Sequence, residues 1–305
     1  MGRSALRSGQ KTGWGFLLLG LAISGGCGGV KQTQNLRPAE VRALLESTPD
    51  ELISRYNQQA RAVRSLNARI EIRTETGSAY SGVIETYHEV NGFVLAQKPA
   101  SIRMIGQAPV VATNIFDMVS DDETFHIFIP PKNKFIVGPT HLARPAKKPI
   151  ENLRPQHLVD ALFWQELAAG APVLFEEFNA APDRFYVLTV VRPGPPLEIE
   201  RKIWFDRTDL SVARVETFAA GGRLEADIHY GEWEPEGEVR YPREITLARP
   251  HDDYTLHLRI KKLTLNEEIS AERFHLEQPA GTELVKVGEE SPEEKPAEKI
   301  PAVRP

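Results

Sequence analysis

His251, Asp252, Asp253 and His257 form the only close grouping of side chains in this sequence that could ligate a metal. Arg259 and Lys261 share the same stretch and would repel a cation, so the segment reads as a polar hairpin turn beside a wet strand face, not as a metal centre. The eight histidines are otherwise scattered singly. His126 stands between Thr124 and Phe128 and points away from Phe125 and Ile127, as an ordinary strand histidine does. Asp121, Asp122 and Glu123 read as a solvated turn. Ser78-Ala79-Tyr80-Ser81-Gly82 is rich in small residues but does not give the strained Gly-x-Ser-x-Gly turn that exposes a nucleophilic serine. Phosphate-binding, dinucleotide-binding and His-Glu-x-x-His patterns are absent from the sequence. The expectation is a protein that is not an enzyme, with no catalytic residue, no metal and no cofactor.

The remaining reactive side chain is Cys27, the only cysteine among 305 residues. Alone it can form no internal disulfide, and it excludes Cys-only zinc and iron–sulfur sites. Its position is informative. Arg3, Arg7 and Lys11 precede a short apolar stretch, FLLLGLAI at 16–23, and the small residues Ser24-Gly25-Gly26 lead into Cys27. Such a stretch is about half of what a bilayer-spanning helix needs, so it reads as a secretory signal. The segment resembles a bacterial lipoprotein signal, although Ser24 stands where leucine is usual. That resemblance implies cleavage before Cys27 and a diacylglycerol on its sulfur. A general secretory signal with an incidental cysteine is the alternative. The mature chain would carry 34 basic against 42 acidic residues, a formal charge of -8. Several acyl chains would make attachment to the membrane effectively permanent, and Gly28 after the cysteine implies export to the outer membrane. The net negative charge argues against a nucleic-acid partner.

Apolar residues make up 41% of the chain and charged ones 26%, an ordinary globular balance that excludes wholesale disorder. Four segments follow: a signal at 1–26, a small and polar tether at 27–36, a folded domain at 37–287, and a charged, Pro-rich tail at 288–305 expected to be disordered. Within the domain, Val41, Leu44 and Leu45 suggest a short helix over 37–47. Thr48-Pro49-Asp50-Glu51 is a capping box that opens a second helix, with Leu52, Ile53, Tyr56, Ala60 and Val63 on one stripe. From Leu66 the period changes to two: Leu66, Ala68, Ile70 and Ile72 alternate with polar residues. Alternation recurs at 223–230 and 254–261, and further strands are expected near 79–89, 92–97, 101–107, 110–119, 123–129, 134–138, 172–178, 184–192, 197–206, 211–218 and 239–248. One Pro-rich interruption precedes an apolar helix over 156–168. Short strands with one wet face, separated by turn residues, predict a mainly β protein with helices (α+β): a large antiparallel sheet curled into an incompletely closed barrel.

Several segments resemble the outer-membrane lipoprotein carrier and receptor superfamily (LolA/LolB-like). Ser120 to Pro130 resembles its aromatic hairpin, with Asp122 where glycine is usual. Trp204-Phe205-Asp206 followed by 212–217 is similar to its paired middle strands. Phe274 to Gly281 resembles its terminal strand and turn. The resemblance implies a half-barrel around an apolar cavity, with helices as a lid. Ile102, Met104, Ile115, Phe116, Met118, Phe125, Ile127, Ile129 and Phe135 are the expected wall, and Leu158, Leu162 and Phe163 the expected lid. The same side chains could instead fill the interior themselves. The functional expectation is a lipid-anchored periplasmic protein of the bacterial outer membrane that holds an acyl chain or a lipoprotein's lipid. The alternative is a structural or sensory envelope lipoprotein that binds a protein partner with the same fold.

Overall fold

The computed structural model describes residues 43–78, 83–86, 89–108, 112–140, 154–180 and 183–287. The signal, Cys27, the tether and the tail lie outside the described residues, as does the start of the helix expected at 37–47. All described residues belong to one compact unit that begins at Ala43.

The alternating pattern produces strands where one face can be buried and the other wetted. The first run comprises β1 (Ser65–Ser78), β2 (Val83–Thr86), β3 (Val90–Gln97), β4 (Ser101–Gln107), β5 (Asn114–Ser120), β6 (Thr124–Ile129) and β7 (Lys134–Pro139). The second comprises β8 (Val173–Ala180), β9 (Asp183–Arg192), β10 (Glu198–Asp206), β11 (Val212–Ala219), β12 (Arg223–Glu236), β13 (Val239–Arg249) and β14 (Tyr254–Leu265), and β15 (Glu283–Lys286) comes last. All join one sheet in the order β15-β7-β6-β5-β4-β3-β1-β14-β13-β12-β11-β10-β9-β8, with β2 paired to β1. The chain thus starts in the middle of the sheet, meanders to one side, crosses to the far edge at β8, and meanders back until β14 pairs with β1. Within this order β15 and β8 are the two ends and do not pair, so the sheet is open, an incomplete barrel. One pairing departs from the antiparallel expectation: β15 runs parallel to β7. The terminal segment 274–281 is not a strand; a 3-10 turn at Ala271–Phe274 and a turn at Gly281, where φ is +77, deliver the chain to β15.

Helix α1 (Pro49–Ala62) begins as the capping box dictates: Thr48 Oγ1 accepts from Glu51 N, and Glu51 Oε2 accepts from Thr48 N. Its buried stripe is Leu52, Tyr56 and Ala60. At its C-terminal end Lys98 Nζ donates to Ala60 O and Asn266 Nδ2 to Ala62 O, satisfying carbonyls that the helix leaves without partners. The residues before it are a correction to the sequence reading. Residues 43–47 are not helical, and Leu44 and Leu45 are exposed. Leu45 N donates to Arg207 O, and Glu46 accepts from Arg207 and from the Tyr186 hydroxyl. A partner over 160 residues away overrides a short local helical pattern.

Helix α2 (Pro155–Leu162) is shorter than the expected 156–168. Phe163 is already extended (φ -123, ψ 119), and the chain continues to Ala168 as an irregular strap. The cause is a pair of buried phenols. Tyr230 Oη donates to Ala161 O at 3.0 Å and Tyr241 Oη to Leu162 O at 2.8 Å. Burial pushes both phenols well above their usual range, so they stay neutral donors. The strap is then locked to α1 by Asn57, whose amide exchanges two hydrogen bonds with the backbone of Leu167.

Charge on the sheet is paired across strands. Burial alone would raise the carboxyl of Asp227, but His229 and a bidentate Arg214 hold it at about 2, below its usual 3.8. A carboxyl depressed on folding contributes stability above its unfolded value, and that contribution disappears as pH falls from about 4 to 2. Asp227→Asn is therefore expected to cost about 1–2 kcal/mol at pH 7 and almost nothing at pH 2. Urea midpoints of the two proteins at both pH values check this, and an equal loss at both would exclude the charge as the cause.

Candidate functional site

The concave side of the β3–β7 half is where the covering helices leave space. Strand register aligns Met104, Met118, Ile127, Ile136 and Val285 in one inward row across five strands. That row floors a hollow of about 610 Å³. Ile72, Val90, Leu256 and Leu258 wall it on the side of β1 and β14, with Phe116, Phe125 and Ile129 around the floor. Arg154 and Leu158, at the start of α2, cover it. At about 30 Å³ per water-sized group the space holds roughly twenty such groups, within the range of small-molecule sites.

Two glycines shape this space. A Cβ on Gly106 would lie 2.2 Å from the Phe116 ring, and one on Gly138 would lie 2.9 Å from the Phe125 ring. Both rings occupy the surface that a side chain on the neighbouring strand would otherwise need. They lie along the wall rather than across the hollow.

Seven of the expected residues line the hollow: Met104, Phe116, Met118, Phe125, Ile127, Ile129 and Leu158. Five do not. Ile115 is the extra residue where the β4–β5 register shifts, between the pairs Gln107–Asn114 and Gly106–Phe116. The extra residue breaks the alternation and has no partner on β4, and Ile115 is not among the residues that line the hollow. Phe135 pairs with Phe128 on the outer face and packs on His126, so Ile136 takes the inward place. Ile102 is inward but fully buried in the core. Leu162 and Phe163 are buried core residues at the far end of α2, where the two phenols hold the backbone. Leu162→Asp therefore acts on the fold and not selectively on the hollow. Only the first turn of the expected lid meets this space. Ile72, Leu256 and Leu258 were legible as inward strand residues, whereas Val90 fell between the strands expected at 79–89 and 92–97; nothing local connects any of them to β5 and β6.

Among the described residues the lining holds no aspartate, glutamate, histidine, serine or cysteine. The polar side chains on it are Thr74, Lys132, Lys134 and Arg154. The polar clusters noted in the sequence are engaged elsewhere. Asp252 binds Arg249, while His257 faces Thr246 and Glu75. His126 Nδ1 meets Leu276 O, and Asp121 Oδ1 accepts the backbone amides of Glu123 and Thr124. Among the described residues no three His, Cys, Asp or Glu side chains converge as metal ligands. Two smaller clefts, of about 310 and 210 Å³, flank α1 and the strap. The larger is lined by a mixture of acidic and basic side chains, including Asp160, Arg192, Glu200, Arg201, Glu225 and Arg249. No described helix is long and apolar enough to cross a membrane.

No protein-family model and no curated protein matches the sequence. Solved structures do. A LolA superfamily protein of Nitrosomonas europaea is matched at 10% identity over 76% of this chain and 99% of that one, with a TM-score of 0.46. The chain is similar in structure to LolA superfamily proteins. A DUF1329 family protein of Desulfovibrio piger is matched at 12% identity, 74% and 95% coverage and a TM-score of 0.47. A domain named for outer-membrane lipoprotein sorting, from Vibrio parahaemolyticus, is matched at 10% identity, 73% and 94% coverage and a TM-score of 0.43. In the open sheet of this chain the hollow occupies one half of the concave side, and α1 with the strap fills the other.

Proposed function

We propose that the protein is a non-enzymatic, lipid-binding component of the bacterial envelope, tethered to the outer membrane through acylated Cys27 and facing the periplasm. It holds an acyl chain, free or as part of a lipoprotein's lipid, in the hollow beneath α2. The observation that carries this reading is an apolar space of about 610 Å³ that the surrounding side chains leave open. A chain of about fifteen methylenes would gain at most about 12 kcal/mol from burial, at ~0.8 kcal/mol each. Ordering and association losses remove much of that, which suits a ligand that is held and released.

Native mass spectrometry of the full chain tests the reading, with the protein kept in solution by an amphipathic polymer free of alkyl detergents. Copurified, non-covalent lipid is the expected result. A well-folded protein that carries none and takes up no neutral apolar fluorophore would overturn it. One observation favours a second reading, in which the fold docks a protein partner. Strand β8 is an open sheet edge, and Leu174, Phe175 and Phe178 on it are exposed. Such an edge can accept an added strand.

A further inference from the structure

Among the described residues every charged side chain on the wall of the hollow is cationic, in a chain with 42 acidic against 37 basic residues. The three cations are not equivalent. Lys132 ends the 3-10 turn Pro130–Lys132 and Lys134 opens β7, opposite Ile129, so both stand at one end of β6. Arg154 stands at the other end, its guanidinium 5.0 Å over the ring of Phe125. Phe125 and Ile129 are four residues apart on one strand, a separation of about 13 Å. Arg154 is buried, whereas Lys132 is exposed and Lys134 half-exposed. The hollow therefore has a wet end with two ammonium groups and a dry end beneath α2. Lys134 lies 3.4 Å from Glu283, an exposed pairing of little energetic weight that an incoming anion can replace. A purely apolar ligand gives no reason for this arrangement. Two ammonium groups beside an apolar slot match an amphiphile with an anionic head, which they would bind by charge-assisted hydrogen bonds.

We propose that the ligand is an acyl amphiphile with a phosphate or carboxylate head group. The head is held at Lys132 and Lys134, and the chain runs over the Met118–Ile127 floor toward Phe125 and Leu158. This inference rests on the acyl-binding reading above and names its ligand class. It is tested on the full chain by displacement of the neutral fluorophore N-phenyl-1-naphthylamine. The competitors are hexadecanoic acid, lysophosphatidic acid and hexadecanol, each measured on the natural protein and on a Lys132→Gln/Lys134→Gln double variant. Lys132 is exposed and Lys134 half-exposed with only a weak surface pairing, so a thermal midpoint close to the natural protein's is expected of the variant.

The expected result is that at least one anion displaces the probe about tenfold more effectively than hexadecanol. In the variant that advantage should vanish while hexadecanol is unaffected. An advantage for lysophosphatidic acid alone assigns a phosphate head, and one for hexadecanoic acid alone a carboxylate. If hexadecanol competes as well as the anions on the natural protein, or the advantage survives in the variant, the head-group assignment is overturned while acyl binding stands. If no compound displaces the probe, the acyl-binding reading itself fails.

Discussion

Gly106→Val is expected to weaken lipid uptake at least tenfold while leaving the sheet intact. Gly106 pairs with Gly92 on one side and Phe116 on the other, and any Cβ there would lie within 2.2 Å of the Phe116 ring. The backbone of a paired strand cannot yield, but a ring bordering open space can. Phe116 is only partly buried and faces the hollow, so the ring turns inward. A phenyl ring takes the room of about five methylenes, and at ~0.8 kcal/mol each this removes up to about 4 kcal/mol of ligand burial. Fluorescent-probe titration should show affinity reduced at least tenfold, given that 1.4 kcal/mol is a factor of ten. Valine suits a strand, so the thermal midpoint should change little. The double variant Gly106→Val/Phe116→Ala restores the space and should restore binding. Unchanged affinity in the single variant would show that the ligand lies elsewhere.

Trp164→Ala is expected to produce the largest loss of stability of any substitution in the strap. Trp164 stacks on Tyr56 of α1 at 5.2 Å and meets Tyr230 and Trp233 edge-on at 5.4 and 5.7 Å. One indole thus joins α1, the strap and β12, and its removal leaves a hole bounded by three rings that cannot collapse together. Large-to-small changes of this kind cost about 3–5 kcal/mol, and in a domain of this size the thermal midpoint should fall by roughly 10 °C. Calorimetry of the full chain checks the figure. The hollow does not include Trp164, so lipid uptake measured well below the midpoint should persist. Equal loss of uptake and stability would show that the two halves of the concave side are coupled.

What was legible in the sequence is what local chemistry dictates. Thr48 to Glu51 specified the start of α1 because a capping box satisfies its own amides within four residues. The alternation at Leu66–Ile72 and Tyr254–Ile260 specified strands because strand side chains repeat every two residues. Summed along the chain, these patterns gave a long antiparallel meander, and seven of the twelve residues expected around a cavity do line the hollow. The failures share one physical origin, since each depends on a partner distant in sequence. The bulge at Ile115 and the placement of Phe135 opposite Phe128 are set by cross-strand register. Arg207 holds residues 43–47 extended, and Tyr230 with Tyr241 ends α2 early.

The sequence by itself determined that alternating strands would form a sheet and that a mid-chain helix would cover part of it. Only the tertiary structure decided which residues share a wall. Leu256 and Leu258 meet Ile72 and Thr74 through the β1–β14 pairing, nearly 190 residues apart along the chain. Phe116 comes to rest on a glycine of another strand, and Lys132 and Lys134 come to stand at the open end of an apolar slot. Periodicity is a property of neighbours in the chain, whereas an open volume is a property of surfaces that meet only after the sheet has curled.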